Sequence, residues 1–184
     1  MNSTRYTATA IVLHWLMVVL LVTLFCVGLY MSDLPVSPWK LKVFSWHKWA
    51  GVTVFLLVIV RLGWRVTHRP PALPSGMPEW QQWAARGGHA LLYVLMFAVP
   101  LSGWLMSSAK GFQTVYFGVL PIPDLLHKNK ELGELLETVH QTLAWTLAGV
   151  VTGHAIVAFV HHYVDHDDVL TRMLPHHRRR GRGS

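Results

Sequence analysis

Apolar residues fall along the chain in long unbroken runs rather than in short alternating stretches. A bilayer crossing needs roughly 20 largely apolar residues. Four segments meet that length: about residues 8–31, 43–66, 89–106 and 138–163. Each predicts a helix, since a lipid-exposed backbone must satisfy its own hydrogen bonds. The first run is too long for a cleavable signal peptide, and no small-x-small site follows it. Ser37-Pro38 reads as an N-cap with proline at the first helical position, so the second helix is expected to begin before its span. Prolines crowd the stretch from Arg69 to Gly76 and mark a linker. Pro121 and Pro123 break the third connection. Leucines and glutamates alternate from Glu131 to Glu137, an amphipathic lead-in to the fourth helix. The expected fold is therefore an all-α integral membrane four-helix bundle. It forms one domain over 1–184, with a basic tail at 174–184.

Composition agrees with this pattern. Hydrophobic residues make up 52% and charged residues 14%, well under the quarter usual in soluble domains. The single cysteine, Cys26, lies in an apolar run and excludes a disulfide framework or a multi-cysteine metal site. The net charge of +7 does not point to nucleic acid, because the charges flank the spans instead of covering a face. Their distribution sets orientation. All ten arginines lie in the N-terminal tail, around the second connection or at the C-terminal end, and all six lysines lie in the first and third connections. Ten arginines against four acids give one side +6, and six lysines against five acids give the other +1. The positive-inside rule makes the arginine side, with both termini, cytoplasmic.

Ionisable residues within spans are rare and usually functional. His14, His47, His89, His140 and His154 all lie within or at the ends of spans. His140 and His154 are 14 residues apart, almost four turns, so they share a face about 21 Å apart along the axis. Depth pairs His14 with His154 on the inner side and His47 with His140 on the outer side. Each pair can supply both axial ligands to a haem iron, and bundle cores build cofactor sites from facing helices in this way. The sequence has no Cys-x-x-Cys-His motif, so such haems would be held non-covalently. Gly51 and Gly153 sit near the histidines, where a small residue admits either a porphyrin or a neighbouring helix. Arg61, 14 residues after His47, reaches the inner layer as a propionate partner or as a snorkelling cation. Lys48 is a weaker candidate at an outer propionate. His89, read as the start of the third span, is left open between a replacement ligand for His14, a propionate contact, a quinone-pocket residue and an interfacial cap. His161 and His162 are expected at the membrane exit, and His166, His176 and His177 in solvent. The tryptophans are expected in the interfacial belt.

The segments LHWLMVVLL, WHKWAGVTVFLLVIVRLGWR, GHALLYVLMFAVPLSGWLM and VHQTLAWTLAGVVTGHAIVAFVHHYV, with DDVLTRMLP after the last, resemble the bacterial cytochrome b561 family over nearly the whole chain. The haem b subunits of nickel–iron hydrogenases are similar but generally longer. The resemblance implies a di-haem b protein of the cytoplasmic (inner) membrane, with ligands at His14, His47, His140 and His154. It also implies electron exchange with ubiquinone and, as in at least one member, a superoxide oxidase activity that oxidises periplasmic superoxide and reduces quinone. The outer lysines could steer an anion to the outer haem, against the plainer reading of a solvated loop balanced by acids. Two further functions are open. One is a haem b anchor subunit relaying electrons between quinone and a hydrogenase or other redox protein. The other is a histidine-rich metal transporter without haem, which the lack of carboxylates deep in the spans disfavours.

Overall fold

The computed structural model describes residues 5–74 and 76–175. His176, His177 and most of the basic 174–184 tail lie outside the described residues. Four long helices dominate: α1 (Ala8–Asp33), α2 (Pro38–Thr67), α3 (Glu79–Ala109) and α4 (Lys130–Tyr163). All four are long and apolar enough to cross a membrane. They run alternately up and down, and the start of α1 meets the segment after α4: Trp15 Nε1 donates to the Met173 carbonyl at 2.8 Å.

Three of the helix starts carry side-chain caps, which satisfy amide groups that have no partner within the helix. Thr7 caps α1 through Ala10 N–H, Ser37 caps α2 through Lys40 N–H, and Asn129 caps α4 through Leu132 N–H. Ser37-Pro38 thus opens α2 as its sequence predicts. The glutamate-leucine lead-in is the first turns of α4 itself. The third helix departs from expectation: it begins at Glu79, so His89 lies ten residues inside it rather than at its start. The polar residues of the first turns had hidden them from a search for apolar runs. Pro100 lies inside α3.

The connection between α3 and α4 holds a small antiparallel hairpin, β1 (Val115–Tyr116) and β2 (Leu120–Pro121). Its turn places Phe117 and Gly118 at φ 50° and 73°, the left-handed geometry that suits hairpin twist. The hairpin is tied to α2: Trp49 Nε1 donates to the Val115 carbonyl at 2.6 Å, and the Thr53 and Tyr116 hydroxyls are 2.8 Å apart. Backbone packing is closest between α3 and α4, then α1 with α2 and α2 with α3. Contacts of α4 with α1 or α2 are sparse by comparison. The bundle is therefore loosest along the seam where α4 faces α1 and α2.

Candidate haem-binding site

Residues seven apart on a helix return to nearly the same face, drifting by about 20°. Each helix carries one such triplet. In α1 it is His14, Leu21 and Gly28; in α2, His47, Val54 and Arg61. In α3 it is His89, Met96 and Gly103; in α4, His140, Leu147 and His154. Because neighbouring helices alternate in direction, the triplets stack as three layers. The layer nearest the termini holds His14, Arg61, His89 and His154. The middle layer holds Leu21, Val54, Met96 and Leu147, of which the last three are buried and belong to one core cluster with Met17 and Val58. The distal layer holds Gly28, His47, Gly103 and His140. An apolar plug thus separates two polar layers.

In the layer near the termini, the His14 and His154 ring centroids are 6.4 Å apart, and in the distal layer those of His47 and His140 are 6.3 Å apart. Both pairs bridge the loose seam. Two imidazoles on opposite sides of one metal ion, each bonded at about 2 Å with its ring centre about 1.1 Å behind the nitrogen, have centroids about 6.2 Å apart. The centroid separations of the two histidine pairs match that spacing.

The surroundings orient the rings. His140 Nδ1 lies 3.0 Å from the Val99 carbonyl. A carbonyl only accepts, so the His140 proton sits on Nδ1 and Nε2 keeps its lone pair, the arrangement usual for a metal-binding histidine. Ser102 Oγ lies 3.0 Å from the same Nδ1. A Cβ added at Gly103 would stand 3.0 Å from His140 Cε1, and one at Gly28 would stand 3.5 Å from His47 Cε1. These two glycines let α3 and α1 close on the Cε1 edges of the distal rings. His47 Nδ1 is buried and has no hydrogen-bond partner among the described residues, a cost that a buried polar atom bears only when something else fixes the ring.

Arg61 reaches the layer expected of it, but its contact is His14: Nη2 lies 3.0 Å from His14 Nδ1, and Nη1 lies 3.8 Å from Met17 Sδ. Lys48 Nζ is turned to the Phe112 and Gln113 carbonyls at 3.1 and 3.3 Å and to Ser107 Oγ at 3.3 Å. Gly51 and Gly153 touch no ring; an added Cβ would meet nothing within 4 Å, so each faces open space. His89 stands beside His154, with ring centroids 5.3 Å apart. A cavity of about 100 Å³ opens next to it, lined by Arg5, Arg61, Arg65, Arg69, Tyr93 and Met173 among others. No acid lines that cavity among the described residues. His161 Nδ1 approaches the carboxylates of Asp165 at 3.1 Å and Asp167 at 2.8 Å.

Reading the sequence did not single out Gly28, Gly103, Ser102 or the Val99 carbonyl. The seven-residue spacing of His89, Met96 and Gly103 was the available signal for Gly103. No local signal marks a carbonyl whose partner is 41 residues away.

The donor set, the tautomer of His140 and the loose seam suit a flat metal-bearing cofactor. The profile of the prokaryotic cytochrome b561 family matches residues 5–176. The chain is 35% identical to cytochrome b561 homolog 2 of Escherichia coli K12, over 92% of this chain and 91% of that one. It is 30% identical to cytochrome b561 homolog 1 of the same organism, over 93% and 97%. It is 28% identical to the probable superoxide oxidase CybB of Yersinia pestis, over 93% and 96%. The chain belongs to the prokaryotic cytochrome b561 family, multi-pass electron-transfer proteins of the bacterial inner membrane for which b-type haem is the implied cofactor.

Proposed function

We propose that this chain binds two haem b groups, an inner one on His14 and His154 and an outer one on His47 and His140, and passes electrons between them and ubiquinone. The carrying observation is the pair of histidine couples with matched centroid separations of 6.4 and 6.3 Å, in layers on either side of an apolar plug. The arginine-rich end with the termini is the cytoplasmic end. The haems supply reversible one-electron storage at iron. With a histidine from each of two helices holding it, each haem would offer one-electron exchange with a donor rather than oxygen chemistry at the metal.

The chain's own residues divide the remaining work. Val99 and Ser102 hold the His140 ring. Gly51 and Gly153 leave open space beside the layers that a porphyrin edge can enter. Arg61 is charge-matched to an inner propionate, and Lys48 lies at the outer layer's depth. Val54, Met96 and Leu147 keep water from the midplane.

The donor we favour is periplasmic superoxide. Two superoxide anions would give up one electron each and leave as oxygen, while one quinone takes both electrons and two protons to become quinol. The resemblance to a probable superoxide oxidase supports this reading, as does the gathering of all six lysines at the distal end of the bundle, four of them on α2 and α4 rather than in the connections where the sequence had placed them. A purified preparation should carry both haem equivalents by pyridine haemochrome assay, and a colourless one would overturn the proposal. Haem reduction by superoxide should outpace spontaneous dismutation and require no protein partner. Reduction that appears only with an added redox protein would favour the anchor-subunit role.

A further inference from the structure

The two histidine layers are not equivalent. The distal layer has two imidazoles and two glycines, whereas the layer near the termini has three imidazoles and an arginine. The additional imidazole is His89, at the α3 position that Gly103 takes in the distal layer. Its Nδ1 lies 2.7 Å from the Ala85 carbonyl. That acceptor fixes the proton on Nδ1 and leaves the Nε2 lone pair available for a metal. Its ring centre is 5.3 Å from that of His154, about 1 Å short of the spacing two axial imidazoles need. A side-chain rotation covers such a difference. His14 and His89 both stand beside His154, at ring-centre separations of 6.4 and 5.3 Å.

His14 is held differently. A guanidinium only donates, so the contact at 3.0 Å makes His14 Nδ1 the acceptor from Arg61 and places the proton of the neutral ring on Nε2. His14 can offer Nε2 to iron only once Arg61 has left Nδ1. His89 needs no such exchange.

We propose that His89 is a third haem-ligating imidazole, able to hold the inner haem together with His154 in place of His14. The inner site then has two ligand sets, His14/His154 and His89/His154, and the outer site has one. This rests on the di-haem reading above. The shift of Arg61 between His14 and a haem propionate would favour one set over the other.

The test uses the full-length protein in detergent, with haem content measured by pyridine haemochrome and coordination by optical and electron paramagnetic resonance spectra. The variants are His14→Ala, His89→Ala, the double variant and His154→Ala. The expected result is that His14→Ala keeps the full haem-to-protein ratio and a low-spin inner haem whose resonance signal is displaced from the native one. His89→Ala should keep both haems, with the inner one held by His14 and His154 alone. The double variant should lose half of the haem, or turn the inner haem high-spin, while its outer haem stays low-spin and shows that the bundle has folded. The proposal is overturned if His14→Ala alone loses or converts the inner haem as fully as the double variant does. It is also overturned if the double variant keeps a native low-spin pair. His154→Ala separates the two levels of inference. If it keeps both haems the di-haem reading itself fails, and if it loses half of them only the role of His89 is at issue.

Discussion

Two glycines illustrate how single positions divide between packing against protein and facing space that a cofactor can use. At Gly103, an added methyl group would press on a His140 ring already held by Val99 and Ser102. Overpacking of this kind costs about 1–3 kcal/mol, and the helix-propensity gain of alanine over glycine, about 1 kcal/mol, offsets part of it. Gly103→Ala should therefore change stability little but turn the ring. The expected outcome is an altered outer-haem spectrum with a nearly unchanged melting temperature, and an unaltered spectrum would show that the ring moves freely. At Gly51, nothing in the chain would meet the methyl group. If a porphyrin edge uses that space, Gly51→Ala lowers haem retention. If it does not, haem content stays at the native level while helix stability rises slightly. At this scale the sequence was informative about the histidines, because an imidazole within an apolar run stands out and a spacing of 14 is readable. It was uninformative about what holds them. The contact of Arg61 with His14 joins residues 47 apart, and only the folded helices bring such positions together.

At the scale of elements, the four helices were readable because lipid imposes one length and one hydrogen-bonding solution. Their ends were read less well. The first ten residues of α3 contain Glu79, Gln81, Gln82 and Arg86, and their polarity masks helical backbone that lies beyond the apolar run. The hairpin was not foreseen, since two-residue strands leave no periodicity and Phe117 is an unusual residue at positive φ. The segment after α4 offers a test of how an element outside the membrane is held. Arg172 Nε donates to Asp168 Oδ1 at 2.8 Å, and Nη1 donates to the Ala72 carbonyl at 2.6 Å. It thereby ties the second connection to the C-terminal segment. The hydrogen bond from Arg172 holds the Asp168 carboxyl below its usual range. A depressed carboxyl stabilises the folded segment above that range, and the contribution is lost as pH falls through the lowered value. Amide protection at residues 169–174, taken relative to the intrinsic exchange rate at each pH, should therefore fall once acid protonates Asp168. Asp168→Asn should show the lower protection already at neutral pH, with no further acid-dependent step from this pair. Because the Asp168 carboxylate is exposed, the change should be local and leave the bundle's melting temperature within a degree or two.

For the whole molecule, the three stacked layers make the order of electron transfer a testable property of the architecture. Along α4 the two proposed ligand positions, His140 and His154, are separated by about 21 Å, with Leu147 buried halfway between them. If superoxide delivers its electron at the lysine-bearing end, the inner haem receives it only through the outer one. Removing the outer haem should then split two reactions that are joined in the native protein. In proteoliposomes, His140→Ala should abolish reduction of the inner haem by superoxide, while chemical reduction by dithionite still turns that haem fully ferrous. Leu147→Ala is the companion variant. It removes bulk from the apolar plug without touching a ligand, which costs about 2–5 kcal/mol in a packed core. It should lower the melting temperature yet keep both haems and superoxide-driven reduction of the inner one. Persistence of that reduction in His140→Ala at the native rate would mean that electrons enter at the inner layer directly. The seam between α4 and the pair α1 and α2, which runs past both layers, would then be the entry route to examine, and the lysines of the distal end would have no part in steering.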